Sequence, residues 1–221
     1  MANMYIIIII ADADGHKSIY DQFLFNISHS GDYCVLASES DITKLGIDIM
    51  KIEISGGMQR INDFFRIMNR QFSLQEWDFI RVPKTNLSKL ARFIRLWSLK
   101  ESLVKAEGSG IVFPLSKISF TCNTDLTSPQ SIIISDTTVA IDGDNINEWQ
   151  FEELMIDEMH YVSVAKTKIN SKDKNNNYET NDIIYQFKLL TIDDLLTDYN
   201  MLDHLFTYDD EKYWTDFCKK S

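Results

Sequence analysis

With 221 residues, 44% of them hydrophobic and 12% aromatic, the chain can bury a full-sized core and is not a disordered segment. A formal net charge of −11 argues against nucleic acid as a partner. No apolar run reaches membrane-spanning length, and Cys34, Cys122 and Cys218 lack metal-type spacing, so a reduced, cytoplasmic setting without membrane contact is expected.

Tyr5 to Ile10 is a β-branched run that reads as a buried strand ending in the turn Asp12-Ala13-Asp14-Gly15. It is too short for a secretory signal, and no basic residue precedes it. Phe23 to Ser28 and Tyr33 to Ser38 read as two strands joined through Ser30-Gly31-Asp32, and Leu45 to Met50 as another. Short helices are expected over Asn62 to Asn69 and Leu74 to Ile80, the second capped by Ser73 with Glu76 in its first turn. A long helix follows from about Ser88 to Glu107, with Gly108 placed to end it. Further strands are expected at Ile118–Phe120, Ser131–Ile134 and Thr138–Ile141, then a pair at Trp149–Leu154 and Tyr161–Ala165. Asn170 to Asp182 is a polar loop, Leu190 to Phe206 suits short helices, and Tyr213, Trp214 and Phe217 suit a tail anchored on the domain. Strands around one long helix make the fold class α+β.

The long helix carries the chemistry. Leu90, Phe93, Ile94, Trp97, Val104 and Gly108 recur at three- and four-residue steps, and Glu101 falls inside that stripe. A carboxylate on a buried face requires a positive partner. Lys105, one turn on, is one candidate and a divalent cation is the other. An exposed Glu101–Lys105 pair contributes only about 0.3–0.5 kcal/mol, too little to explain a charge there. Lys100 lies off the stripe. From Arg81 to Lys105 the chain carries seven cations (Arg81, Lys84, Lys89, Arg92, Arg95, Lys100, Lys105) against Glu101 alone. Such a segment in an acidic protein suits either a solvated face or an anionic ligand or partner.

Phe25-Asn26-Ile27-Ser28-His29-Ser30-Gly31-Asp32-Tyr33, then Gly46-Ile47-Asp48-Ile49-Met50, then Trp97-Ser98-Leu99-Lys100-Glu101-Ser102-Leu103-Val104-Lys105 together resemble the ordered motifs of the Sfp-type 4′-phosphopantetheinyl transferases. The likeness is to the eukaryotic cytosolic, aminoadipate-semialdehyde dehydrogenase-type branch, and continues through Trp149–Glu153 and His160–Ala165. It implies a fold of two similar α/β halves with the site between them. It also implies transfer of the phosphopantetheine arm of coenzyme A, the co-substrate, to a serine of an acyl or peptidyl carrier protein. Mg²⁺ dependence and release of adenosine 3′,5′-bisphosphate come with it.

The resemblance implies a shortened N-terminal half over residues 1–44, a complete catalytic C-terminal half over 45–169, the loop over 170–182 and a tail over 183–221. A monomer is the expected state. Only Met1 to Gln22 precede the Phe-Asn-Ile-Ser-His strand, Lys17 is their sole Lys or Arg, and no Arg-Gly-Lys-Pro motif is present. A non-catalytic remnant that retains carrier or coenzyme A binding is therefore the second reading.

Mg²⁺ prefers one or two carboxylates with phosphate oxygens and water. Asp48 and Glu101 meet that requirement as metal ligands, with Met50 standing where many members carry a second acid. Glu101 doubles as the base for the carrier serine, a metal-bound water being the other candidate. By resemblance Lys105 contacts the pyrophosphate as a catalytic and cofactor-binding residue, and Asn26, Ser28 and His29 line the coenzyme A pocket. Ser28 and His29, adjacent on a strand, point to opposite faces and cannot form a dyad. Trp97 reads as core, and His16, His160 and His204 as structural. Asp12-Ala13-Asp14 after a strand is also similar to haloacid dehalogenase-type hydrolases, but that class has Thr or Val where His16 stands.

Overall fold

The computed structural model describes residues 5–11, 23–40, 42–108, 110, 114–129, 132–167 and 187–190. Four strands form the first sheet: β1 (Tyr5–Ala11), β2 (Phe23–Ser30), β3 (Tyr33–Ser40) and β10 (Phe187–Leu190), in the order β10-β1-β3-β2. β1 runs parallel to β3, while β2 and β3 make an antiparallel hairpin. Its turn is Gly31-Asp32, where Gly31 adopts φ 58°, a left-handed conformation that glycine enters without steric cost. The second sheet holds β4 (Leu45–Lys51), β9 (His160–Thr167) and β8 (Trp149–Asp157), all antiparallel. β5 (Ile118–Thr121), β6 (Thr138–Ile141) and β7 (Asp144–Asn145) form a third, smaller sheet.

The second sheet is the middle layer. Alternate residues of β4 and β9 (Ile47, Ile49, Val162, Val164) pack on Val35 and Ala37 of the first sheet. The opposite face, with Phe151, Met155, Tyr161 and Ala165, packs on helix α3 (Asn86–Glu107) through Leu90, Phe93, Leu96, Leu99 and Leu103. Helices α1 (Ile61–Ile67) and α2 (Leu74–Arg81) close this core with Phe65 and Trp77 around Phe93. Ser73 caps α2 with the expected reciprocal pair: its hydroxyl accepts from the Glu76 amide, and the Glu76 carboxylate accepts from the Ser73 amide. Thr85 caps α3, starting it two residues before Ser88, and Gly108 ends it at φ 66°.

Two expectations fail here. Of the strand expected at Ser131–Ile134, Ser131 lies outside the described residues and 132–134 do not form one: Ile134 makes one isolated bridge to Glu153, and Ile132 is 72% exposed. Leu190, expected to open a helix, ends β10. Asp12–Gly15, the 170–182 loop, the rest of the 191–206 segment and Tyr213, Trp214 and Phe217 lie outside the described residues.

The seven-cation segment is also not one solvated or partner-facing surface. Arg95 and Lys100 are fully buried. Arg95 makes a bidentate pair with Glu153 at 2.7 and 2.9 Å and donates to the Thr124 carbonyl at 2.7 Å. Lys100 meets the Glu76 carboxylate at 2.9 Å and donates to the carbonyls of Leu115 and Ile118. Each buried charge thus has a carboxylate and backbone oxygens around it, the condition under which such charges are tolerated. Arg92 is held by the Phe79 carbonyl and Asp125. α3 is buried over much more than a single stripe. Among the described residues no helix is long and apolar enough to cross a membrane.

Candidate active site

The site lies along a seam between the first two sheets. β2 and β4 belong to different sheets but run side by side, joined by side chains. Asn26 Oδ1 accepts from the Ile47 amide at 2.9 Å, Ser28 Oγ from the Ile49 amide at 3.4 Å and Ser30 Oγ from the Lys51 amide at 3.1 Å. β4 pairs with β9 on its other side, so alternate N–H groups on its outer edge need such acceptors. β2 accordingly reverses the usual alternation: Ser28 is buried while Phe25 and Ile27 are 64% and 49% exposed.

On its other face β4 lies unusually close to α3. A Cβ at Gly46 would fall 2.1 Å from the Ser102 carbonyl oxygen and 2.5 Å from the Ala106 nitrogen, so only glycine permits this approach. Two residues on, Asp48 is buried. Its Oδ1 accepts from Lys105 Nζ at 2.8 Å and from Ser28 Oγ at 3.1 Å. Lys105 also donates to Ser28 Oγ at 2.8 Å and to the Ile47 carbonyl at 3.1 Å. Ser98 Oγ donates to the Asp48 carbonyl at 3.3 Å and lies 2.8 Å from Ser163 Oγ. Asp48 Oδ2, by contrast, is buried without any hydrogen-bond partner among the described residues.

These groups border a cleft of about 540 Å³ lined by Ile27, Ser28, His29, Asp48, Ile49, Met50, Trp97, Glu101 and Lys105. Burial pushes the Asp48 carboxyl above the ordinary carboxylate range, with Lys105 and nearby hydroxyls opposing. Glu101 is raised too, by burial and then by the charge of Asp48, against the pull of Lys105. Two carboxylates that repel, one with an unpartnered buried oxygen, fit a hard divalent cation. Among the described residues no group of three or more His, Cys, Asp or Glu could hold a metal, so an ion here would rest on two protein carboxylates.

Of the residues expected at the site, the fold brings Ser28, His29, Asp48, Glu101 and Lys105 to one cleft and leaves Asn26 out of its lining. Lys105 on α3 pairs with Asp48 on β4. Trp97 is half-buried: its ring stacks parallel to Phe93 at 6.2 Å and also faces the cleft. His160, expected to be structural, is buried away from the cleft, its Nδ1 2.9 Å from Asp157 and its ring edge-on to Tyr33. The sequence gives no site role to Ser98, Ser163 or Ser30; its one signal is the polar alternation Asn26-Ser28-Ser30, which suits a buried polar edge.

A model of the 4′-phosphopantetheinyl transferase superfamily matches residues 44–163, just over half of the chain. The chain belongs to that superfamily. It is 38% identical over 202 residues to the L-aminoadipate-semialdehyde dehydrogenase-phosphopantetheinyl transferase of Mus musculus, a match covering 90% of this chain and 63% of the mouse protein. A phosphopantetheinyl transferase of Thraustochytrium is 38% identical over 147 residues, covering 65% of this chain and 48% of that protein. The 4′-phosphopantetheinyl transferase Sfp of Bacillus subtilis is 35% identical over 101 residues, covering 46% and 40%. The chain thus spans less than two thirds of the length of its mouse relative. Asp48, Ser98, Glu101 and Lys105 fall inside the superfamily match, whereas Asn26, Ser28 and His29 precede it.

Proposed function

We propose that the chain transfers the 4′-phosphopantetheine arm of coenzyme A to a serine of an acyl or peptidyl carrier domain, releasing adenosine 3′,5′-bisphosphate. The observation that carries this reading is the cleft itself: Asp48 with a free buried oxygen, Glu101 and Lys105 in one member of the superfamily. Asp48 and Glu101 would hold Mg²⁺, which when bound neutralises charge on the pyrophosphate.

The remaining work falls to side chains. In phosphoryl transfer a protein mainly positions groups and stabilises charge. Lys105 fixes Asp48 Oδ1 and brings positive charge to the cleft, and His29 lines the same wall as a donor for a phosphate oxygen. Ser28 orients both Asp48 and Lys105. Glu101 accepts the proton of the carrier serine as its oxygen bonds to phosphorus and the bond to the adenosine bisphosphate breaks. In this reading residues 45–169 form the catalytic half, and Phe187–Leu190 return onto the first sheet by pairing with β1.

The test is direct. The purified chain, coenzyme A, Mg²⁺ and an apo-carrier domain are incubated and the carrier is weighed by mass spectrometry. The carrier gains a phosphopantetheine arm if the reading holds; an unmodified carrier overturns it, and coenzyme A binding without transfer would mark a remnant.

A further inference from the structure

Three acceptors on β2 hold the outer edge of β4, and they do not share the load equally. Ser28, in the middle, makes the longest contact at 3.4 Å because its oxygen also serves Asp48 and Lys105. Asn26 and Ser30, on either side, make the shorter ones at 2.9 and 3.1 Å. Neither lines the cleft. Asn26 grips the amide of Ile47, the residue whose carbonyl accepts from Lys105. The next residue is Asp48.

We infer that Asn26 and Ser30 are positioning residues, which fix the register of β4 against β2 and so hold Asp48 beside Lys105 in the wall of the cleft. This rests on the reading above, in which Asp48 grips the cation. It reassigns Asn26 from the coenzyme pocket to the seam. The logic is one of alternation: side chains 26, 28 and 30 share one face of β2, and amides 47, 49 and 51 share one edge of β4. Since no backbone ladder joins the two strands, loss of a flanking acceptor frees that edge. At the turn, Tyr33 donates to Asp157 Oδ2 at 3.0 Å and pins the hairpin, so the freedom is confined to β4.

Amide hydrogen exchange on the full chain tests this without reference to activity. Asn26→Ala should speed exchange of the Ile47 amide by about tenfold or more, and Ser30→Ala should do the same at Lys51. Asn26→Asp, which keeps an acceptor oxygen, should preserve slow exchange at Ile47. In transfer assays Asn26→Ala should lower kcat while KM for coenzyme A stays within about twofold. Unchanged exchange at Ile47 in Asn26→Ala, or a raised KM with kcat intact, would overturn the inference, the latter by making Asn26 a coenzyme contact. A wild-type chain with a protected Ile47 amide lost in Asn26→Ala, but without transferase activity, supports the seam and sinks the functional reading alone.

Discussion

Glu101→Gln should abolish transfer and, in chelator, raise the melting temperature of the chain. The loss follows from the two roles given to one carboxylate: removing the base alone costs about 10²–10⁴-fold in rate, and removing a metal ligand adds to it. The gain follows from repulsion. In the metal-free protein Glu101 shares a cleft with Asp48, and burial and that neighbouring charge disfavour its ionised form. A carboxyl whose folded-state proton affinity is raised makes stability fall as pH climbs from the ordinary carboxylate range through the raised value. Above the raised value the destabilisation is fully present, and Gln removes it; below the ordinary range both forms are uncharged and the two proteins should melt alike. Thermal scans at neutral and acid pH, with and without Mg²⁺, check every part of this. A variant that melts below wild type at neutral pH in chelator would mean that Glu101 is a structural partner of Lys105.

Gly46→Ala should be the most damaging small substitution in β4. The new methyl would meet the Ser102 carbonyl oxygen at 2.1 Å and the Ala106 nitrogen at 2.5 Å, both backbone atoms within α3. Helix backbone cannot rotate aside as a side chain can. Overpacking ordinarily costs about 1–3 kcal/mol, and the upper end or beyond is expected here because strand and helix must separate. For a chain of this size that lowers the melting temperature by about 2–4 °C per kcal/mol. The same separation draws Asp48 away from Lys105 and Glu101, so metal affinity should fall even at temperatures where the variant is folded. Urea unfolding and a Mg²⁺ titration on one sample measure both effects; a variant as stable as wild type would show that β4 and α3 do not pack as closely as drawn.

Much of this arrangement is legible along the chain because its signals are local. Gly108 ends α3 where the apolar repeat stops, Ser73 and Glu76 form their capping box within one turn, and Gly31-Asp32 makes the hairpin. The burial of Arg95 and Lys100 is not legible because their partners lie far away: Glu153 stands 58 positions from Arg95, and nothing near Lys100 announces Glu76. The contact of Lys105 with Asp48 is hidden in the sequence for the same reason, since it forms only once β4 and α3 meet. The motifs of Asp48, Glu101 and Lys105 single these residues out, and the fold brings them to one cleft, but the hydroxyls and amide around Asp48 emerge only from the seam between two sheets.

Binding of Mn²⁺, a spectroscopic stand-in for Mg²⁺, followed by electron paramagnetic resonance in the presence of coenzyme A, puts the shared-cation claim to its sharpest trial. The wild-type chain should bind a single ion, and Asp48→Asn and Glu101→Gln should each weaken that binding by about tenfold or more, since even outer partners of metal ligands matter at that level. Equal Mn²⁺ affinity in all three proteins would contradict the account.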